Sequence, residues 1–307
     1  MRALVLSNMR PSPSHPGRGV FVRDQVAALR RIAGLEVELF EFSPGPASLA
    51  ATMATLRARY RRTSFDVVHA HFGITAWAAL AVPGDRRMVT LHGTDLRHPR
   101  TRRLTLAAAR RMDLVATVSA SLATELPDLA VPRAVLPCGV ELDRFNPIPR
   151  TVARTALGLD PDEACLLFPA DPRRAVKRFE RATAVAGDVQ LLTLGEIDPK
   201  QVSLAINAAN AVLVPSEAEG FGLAVLEALA CGVPVIATRV GIHPLALDGI
   251  EGTLCSDFDV ALWRAAVEPH LLDADPRVDG RARAELFSAE RMAERVAAAW
   301  RFARTTD

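Results

Sequence analysis

Lysine is almost missing from this chain: only Lys177 and Lys200 occur, against 35 arginines. Chemistry that needs a lysine-bound pyridoxal phosphate therefore has two possible anchors and no more. Aromatic residues make up 5% of the sequence and do not interleave with its basic runs. The stacking platforms of a nucleic-acid binder are thus absent, and no nucleic acid is expected as a partner. The four cysteines, Cys138, Cys165, Cys231 and Cys255, are scattered without a C-x-x-C pair. They read as small core residues rather than as a disulfide frame or a zinc site. Half of the residues are hydrophobic, yet no apolar run reaches the roughly 20 residues that span a bilayer. The start, MRALVLSNMRPSPSHPGRG, lacks a secretory signal, with one early Arg, a short apolar stretch and then Pro and Arg. The expected compartment is the cytoplasm.

The net charge of +2 conceals an asymmetry. Residues 1–150 carry 21 arginines against 12 acidic residues, net +9, and the remainder is net −7. A basic first half fits an anionic partner such as an acidic lipid or a lipid phosphate. Arg97, Arg100, Arg102, Arg103, Arg110 and Arg111 gather around one expected helix, either as a solvated face or as a phosphate- or membrane-facing patch.

At 307 residues, the length suggests two domains of about 150 residues each. Short β-rich runs alternate with helical patterns throughout, which predicts an α/β fold with parallel sheets. The first strand series is 3–8, 37–42, 66–71, 87–92, 114–119 and 134–137. The second is 165–170, 189–195, 211–216 and 234–240. Helices are expected over 20–32, 101–112 and 223–231, and an amphipathic one over 288–303. The proline pair in NPIP, 146–149, marks the expected linker. It divides the chain into domains 1–147 and 148–307.

The segment PSEAEGFGLAVLEALACGVPVIAT, 215–238, holds the most chemistry. A strand ends, a glycine loop follows, and a helix starts near Leu223. Free N–H groups and the partial positive charge at such a helix start suit a phosphate. Gly220 and Gly222 permit close backbone approach. Glu219 precedes the loop, and Glu227 lies one turn into the helix with its Cβ tilted back toward the start. Both carboxylates can address one ligand, and as acceptors they match pairs of sugar or ribose hydroxyls.

This segment resembles the signature of the retaining glycosyltransferases of family 4: Glu, seven residues, Glu, with E-G-F-G-L, E-A and G-x-P-V around them. Gly220, Phe221, Gly222, Leu223, Ala228, Gly232, Pro234 and Val235 all match. DVVHAHFG (66–73), VTLHGTDL (89–96), DLVATVSASLATEL (113–126) and LPCGVELDRFNP (136–147) resemble the family's first-domain segments. GRGVFVRDQVAAL (17–29) is similar to its glycine loop and first helix, in particular those of the teichuronic-acid and other polysaccharide-building branch.

The resemblance implies the GT-B fold, two Rossmann-like domains with a cleft between them. The first would be the acceptor domain and the second the donor domain, with the final helix packing back on the first. It further implies transfer of a sugar from a nucleotide-diphosphate donor to an acceptor hydroxyl with retention, without a metal or separate cofactor. The acceptor would be a sugar or a lipid-linked one in polysaccharide or glycolipid assembly, with possible peripheral contact with anionic membrane. In that frame His92 lies at the reaction centre, Glu219 meets the donor sugar and Glu227 the ribose. Lys177 with Arg173 or Arg174 serves the diphosphate. The backbone at Gly19 and at Gly220, Phe221, Gly222 and Leu223 lies against the donor.

The sequence departs from the family pattern in four places. Pro-Ala-Asp-Pro-Arg-Arg, 169–174, replaces the usual Gly-Arg before the variable loop. Cys138 stands where Asn is common. VGIHPLAL, 240–247, lacks the Gly-Gly pair and later Glu. The stretch 194–207 is compressed. His69 and His71 share a strand face but have no third ligand at a telling spacing, so a cleft-lining or hydrogen-bonded role is expected. Asp160–Pro–Asp162 and Asp273–Ala–Asp275 mimic a metal-binding D-x-D but lie in polar loops. Rival readings are a nucleotide-sugar epimerase or a phosphorylase on the same fold, and a non-catalytic member acting as a binding subunit.

Overall fold

The computed structural model describes residues 1–13, 15–195 and 197–302. By contact the chain divides into two units, Met1–Gly139 with the chain from Ala289 onward, and Val140–Ser288.

The first unit is built on six strands: β1 (Arg2–Ser7), β2 (Glu36–Glu41), β3 (Phe65–His71), β4 (Gly84–Leu91), β5 (Leu114–Thr117) and β6 (Arg133–Val135). All pair in parallel, in the order β2-β1-β3-β4-β5-β6. Val67, Val68 and Ala70 of β3 are buried, and so are Ala3, Leu4, Val5 and Leu6 of β1. Continuous apolar runs of this kind are what a parallel sheet covered on both faces requires. Strand order reverses at β1, which pairs with β2 on one side and β3 on the other. Ser7 and His71 stand in register at the carboxyl ends of that pair, where open α/β sheets place their ligands.

The helix Ala289–Phe302 belongs to this unit. Ala289, Met292, Ala293, Val296, Ala297 and Trp300 recur at helical spacing and join one core cluster with Val5, Val22, Val26 and Leu29. Position 303, the last of the expected helix, lies outside the described residues.

The second unit carries five parallel strands: β7 (Cys165–Phe168), β8 (Gln190–Thr193), β9 (Ala211–Val214), β10 (Val235–Ala237) and β11 (Leu254–Cys255). Their order is β11-β10-β9-β7-β8. Here the order reverses at β7, so the loops leaving β7 and β9 lie side by side. Trp263 of the helix Val260–Leu272 is fully buried against Phe168 and Ile236. Its indole N–H donates to Ser256 Oγ at 3.0 Å. Both sheets match the expected alternation, and the fold class is the expected α/β one with two parallel sheets.

Three features differ from the sequence reading. The stretch 146–149 is no free linker: Ile148 N–H donates to Asn207 Oδ1 at 2.9 Å, and its carbonyl accepts from Arg277 at 2.6 Å. These long-range bonds tie the prolines to the second unit and put the contact boundary at Gly139. The helix Pro46–Arg59 was not anticipated because it buries little beyond Thr52 and Leu56, leaving no clear apolar stripe. Strand β11 is only two residues long, too short for alternation to reveal.

Candidate functional site

The carboxyl ends of β7 and β9 feed two loops that the backbone locks together. After β7 the chain passes through Asp171–Arg174 into the short turn Ala175–Lys177. After β9 it runs from Pro215 to Gly222. Glu217 N–H donates to the Val176 carbonyl at 2.9 Å, which holds Lys177 beside the second loop. There Lys177 Nζ donates to Glu219 Oε1 at 2.6 Å, and Ser216 Oγ donates to the same oxygen at 2.7 Å. Thr238, at the end of β10, donates its hydroxyl to the Ser216 carbonyl at 2.5 Å and so fixes the loop base. The Lys177 and Glu219 side chains are only 15% and 10% exposed.

A carboxylate buried to this degree would ordinarily be pushed toward its neutral form. Burial does act in that direction, but the positive charge of Lys177 and the hydrogen bonds from Lys177 and Ser216 outweigh it. The Glu219 pKa therefore falls below its usual value.

Gly222 begins the helix Leu223–Ala230 with a left-handed backbone, φ 105°. A Cβ at that position would stand 2.5 Å from Nε2 of His243, so both backbone and space demand glycine. Gly241 is held equally closely, since its Cβ would meet the Phe221 carbonyl at 2.2 Å. Ile242 N–H donates to that carbonyl at 2.7 Å. The segment 238–243 thus braces the glycine loop from behind. His243 is fully buried and its Nδ1 bonds the Thr238 carbonyl at 2.9 Å. The proton therefore sits on Nδ1, and burial keeps the ring neutral.

The structure brings together Lys177, Glu219, Gly220, Gly222 and the start of the helix at Leu223, with half-buried Glu227 one turn further on. It places other expected residues differently. The Phe221 ring is buried against Phe287, with centroids 6.0 Å apart, so only its backbone belongs to the loop. Arg173 is 63% exposed and folds back on Asp171 at 3.0 Å. Arg174 is exposed and pairs with no acidic side chain among the described residues. Ser216, Thr238 and His243 were not singled out by sequence reasoning. His243 could have been, because it stands where the run 240–247 departs from the family pattern.

The first unit holds a second cluster at its own strand-order reversal. His69 and His71 at the end of β3 stack with centroids 4.5 Å apart. His92, just beyond β4, takes its place beside His71, with Nε2 3.0 Å from His71 Nδ1. Phe72 and Phe21 flank the His92 ring at 4.4 and 5.0 Å between centroids. Asp95 closes the turn, accepting from His92 N–H at 2.6 Å and Gly73 N–H at 3.3 Å. Burial raises the Asp95 carboxyl to about 6 even against those two bonds. Burial also depresses all three histidines, His71 to about 3, so the cluster is neutral at physiological pH. Gly19 caps the first helix at φ 73°, and a Cβ there would stand 2.4 Å from the Met9 carbonyl oxygen.

Among the described residues, Phe72, Ala130 and Arg178 are the non-glycine residues with left-handed backbone. Phe72 follows His71 and Arg178 follows Lys177. Strain of this kind, about 1–3 kcal/mol per residue, collects at functional sites. Among the described residues no three His, Cys, Asp or Glu side chains are arranged to hold a metal ion.

The arginines around the helix Pro99–Ala109 divide into two sets. Arg97 forms a forked pair with Glu125, 2.7–3.1 Å, and Arg111 lies over the Trp77 ring at 5.3 Å. Arg100, Arg102, Arg103 and Arg110 have no acidic partner among the described residues. With Pro99, Leu106 and Pro127 they line a groove of about 860 Å³.

The Lys177–Glu219 pair makes a prediction about pH and stability. In the wild type the depressed Glu219 pKa contributes stability above the unfolded value of 4.5, lost as pH falls through the lower folded value. In Lys177→Met, burial prevails and the folded pKa rises above the unfolded one. That variant should be favoured at acid pH and lose stability as pH rises. Urea unfolding should show a wild-type advantage that is larger at pH 7 than at pH 4. An equal difference at both pH values would contradict the pairing.

Comparison with known proteins identifies the family and the fold. Residues 9–144 match the model of Glycosyltransferase Family 4, and residues 162–273 that of Glycosyl transferases group 1. A D-inositol 3-phosphate glycosyltransferase of Actinosynnema mirum is 32% identical over 97% of this chain and 86% of its own. One from Geodermatophilus obscurus is also 32% identical, over 85% of this chain and 70% of its own. Among solved structures, sucrose-phosphate synthase from Thermosynechococcus elongatus superposes with a TM-score of 0.78 at 21% identity, covering 98% of this chain and 99% of that one. HepE of Anabaena, solved with UDP and glucose, gives 0.71 at 14% identity over 96% and 98% of the two chains. The chain belongs to the family 4, or group 1, glycosyltransferases.

Proposed function

We propose that this enzyme moves a sugar from a nucleoside-diphosphate sugar to an acceptor hydroxyl with retention at the anomeric carbon. The observation that carries the reading is the Lys177–Glu219 pair, set beside the helix start at Gly222 where the strand order of the second sheet reverses. HepE, of like fold, was solved with UDP-glucose.

Lys177 and the backbone N–H groups at Gly222 and Leu223 take the charge that builds on the departing diphosphate. Arg174, which is exposed, is freer to join them than Arg173, which Asp171 already holds. Glu219 uses Oε1 for Lys177 and Ser216, and serves to orient sugar hydroxyls rather than to attack the anomeric carbon. Glu227 meets the ribose hydroxyls. The acceptor hydroxyl loses its proton to an oxygen of the leaving phosphate on the same face, so no protein base is required. His92 stands at the transfer centre, and Gly19 lets the first helix begin close to the donor. Neutralisation of the diphosphate is assigned to side chains and backbone alone, and no metal or separate cofactor enters the scheme.

A phosphorylase on this fold would need an unengaged buried lysine for pyridoxal phosphate. Lys177 is committed to Glu219 and Lys200 is exposed, which favours transfer.

The acceptor is a sugar, free or lipid-linked, in polysaccharide or glycolipid assembly. The enzyme works at the cytoplasmic face of an anionic membrane, which it meets through the groove of Arg100, Arg102, Arg103 and Arg110. No described helix is long and apolar enough to cross a membrane. Each basic side chain near such a surface contributes about 1 kcal/mol, and salt screens it.

Two experiments test this reading. Lys177→Ala should lower kcat by about 100-fold while the donor KM rises less, because the charge it meets develops in the transition state. A KM defect at full turnover would leave Lys177 a ground-state anchor. The protein should also co-sediment with anionic vesicles at low salt and release as salt increases. Replacing Arg100, Arg102 and Arg103 by Ser should weaken that binding and spare donor hydrolysis. A wild type that ignores such vesicles at low salt would point to a water-soluble acceptor.

A further inference from the structure

His69, His71 and His92 of the first unit form an ordered chain whose protons can be placed by elimination. It begins at Trp300, on the helix Ala289–Phe302. Trp300 and His69 are both fully buried, and the indole Nε1 lies 3.3 Å from His69 Nδ1. An indole nitrogen can only donate. His69 Nδ1 is therefore the acceptor, and the ring's single proton sits on Nε2, from which it donates to Thr90 Oγ1 at 2.8 Å. His69 so fixed forms the flat bed on which the His71 ring stacks.

The next contact, His71 Nδ1 to His92 Nε2 at 3.0 Å, holds one proton between two neutral rings. It can be drawn two ways, and the remaining atoms choose between them. His71 Nε2 is buried without a hydrogen-bond partner. Were His92 the donor, His71 would carry its proton on Nε2, leaving a buried N–H with nothing to accept it. Orphaned N–H groups are the rarer and more costly defect, whereas an unused acceptor is better tolerated. The proton therefore belongs on His71 Nδ1. His92, accepting at Nε2, must carry its own proton on Nδ1. That atom makes no hydrogen bond among the described residues, and His92 is the least buried of the three residues.

We propose that His71 is a positioning residue for His92: by donating Nδ1–H to His92 Nε2, it makes the His92 Nδ1–H a fixed donor to a substrate oxygen. His92 then stabilises charge or orients a hydroxyl and does not act as a base, since its lone pair is already taken. Phe72 and Phe21 hold the ring plane, and Asp95 holds the backbone of His92. The Trp300–His69 bond makes the C-terminal helix part of the same support. This inference rests on His92 belonging to the transfer site.

The test combines ring-nitrogen NMR with kinetics on the full chain. Long-range ¹H–¹⁵N correlation of the ¹⁵N-histidine protein should show His92 with a protonated Nδ1 and a bare Nε2. In His71→Leu the His92 pattern should become that of a mixed tautomer. Its kcat should fall roughly ten- to hundredfold, as expected for a displaced substrate-positioning group, while affinity for nucleoside diphosphate and the melting temperature stay near wild type. His71→Asn, whose amide nitrogen can stand where Nδ1 stood, should restore kcat to within about threefold, which a merely space-filling role would not require. Wild-type His92 protonated on Nε2 would overturn the proposal, as would an unchanged spectrum and kcat in His71→Leu. Should His71→Leu not fold, the wild-type spectrum and the His71→Asn kinetics still decide. His92→Ala with full turnover would instead remove His92 from the transfer site, whatever the spectrum showed of the His71 bond.

Discussion

A lysine and a glutamate 42 residues apart in sequence share a 2.6 Å hydrogen bond where two strand-end loops meet, and the local architecture of the second unit follows from keeping them there. Enclosing both charges costs several kcal/mol per ion unless each remains well hydrogen-bonded. Ser216 supplies a further donor to Glu219, Thr238 anchors Ser216, and Glu217 ties the Lys177 turn to the same loop. Gly222 and Gly241 allow the segment behind to close up to within van der Waals reach. The result is a preorganised cation and carboxylate beside a helix start. Preorganisation of this sort is how an enzyme stabilises charge that appears only in the transition state.

The first unit solves a different problem with neutral groups. His69, His71 and His92 lie together at the carboxyl ends of β3 and β4, and burial keeps each uncharged. A neutral imidazole offers one donor and one acceptor, so a row of them has a direction that its neighbours set. Trp300 sets it at one end, which gives the terminal helix a part beyond its core packing. Phe72 takes a left-handed backbone at this row, and Arg178 does so beside Lys177. Both sites thus carry local strain.

Much of this was legible in the sequence. Apolar runs such as ALVL and AVLV gave strands because both faces of a parallel sheet are covered. The Glu219–Glu227 spacing, with its glycines, located the loop after β9 and the helix Leu223–Ala230 that follows it. What stayed hidden depends on contacts between distant residues. His243 braces Gly222 from 21 positions away, and although the run 240–247 departs from the family pattern, that departure does not reveal the contact. The 146–149 prolines look like a linker until the Asn207 and Arg277 bonds to Ile148 are seen. The arginine cluster read as one patch, but Glu125 and Trp77 engage two of its members and leave four facing a groove. For His71 the sequence implied a cleft-lining or hydrogen-bonded role, but not that its Nδ1 faces His92.

The central claim is that the Lys177–Glu219 loops and the helix behind them form the seat of a nucleoside diphosphate. Titration calorimetry with a panel of nucleoside diphosphates on the wild type, Lys177→Ala and Glu227→Ala tests it most directly. Each substitution removes a hydrogen bond to a charged group, worth about 1.5–3 kcal/mol, so each should weaken the preferred nucleotide by roughly 10- to 150-fold. Binding that is equally tight in all three proteins would place the nucleotide elsewhere and contradict the account.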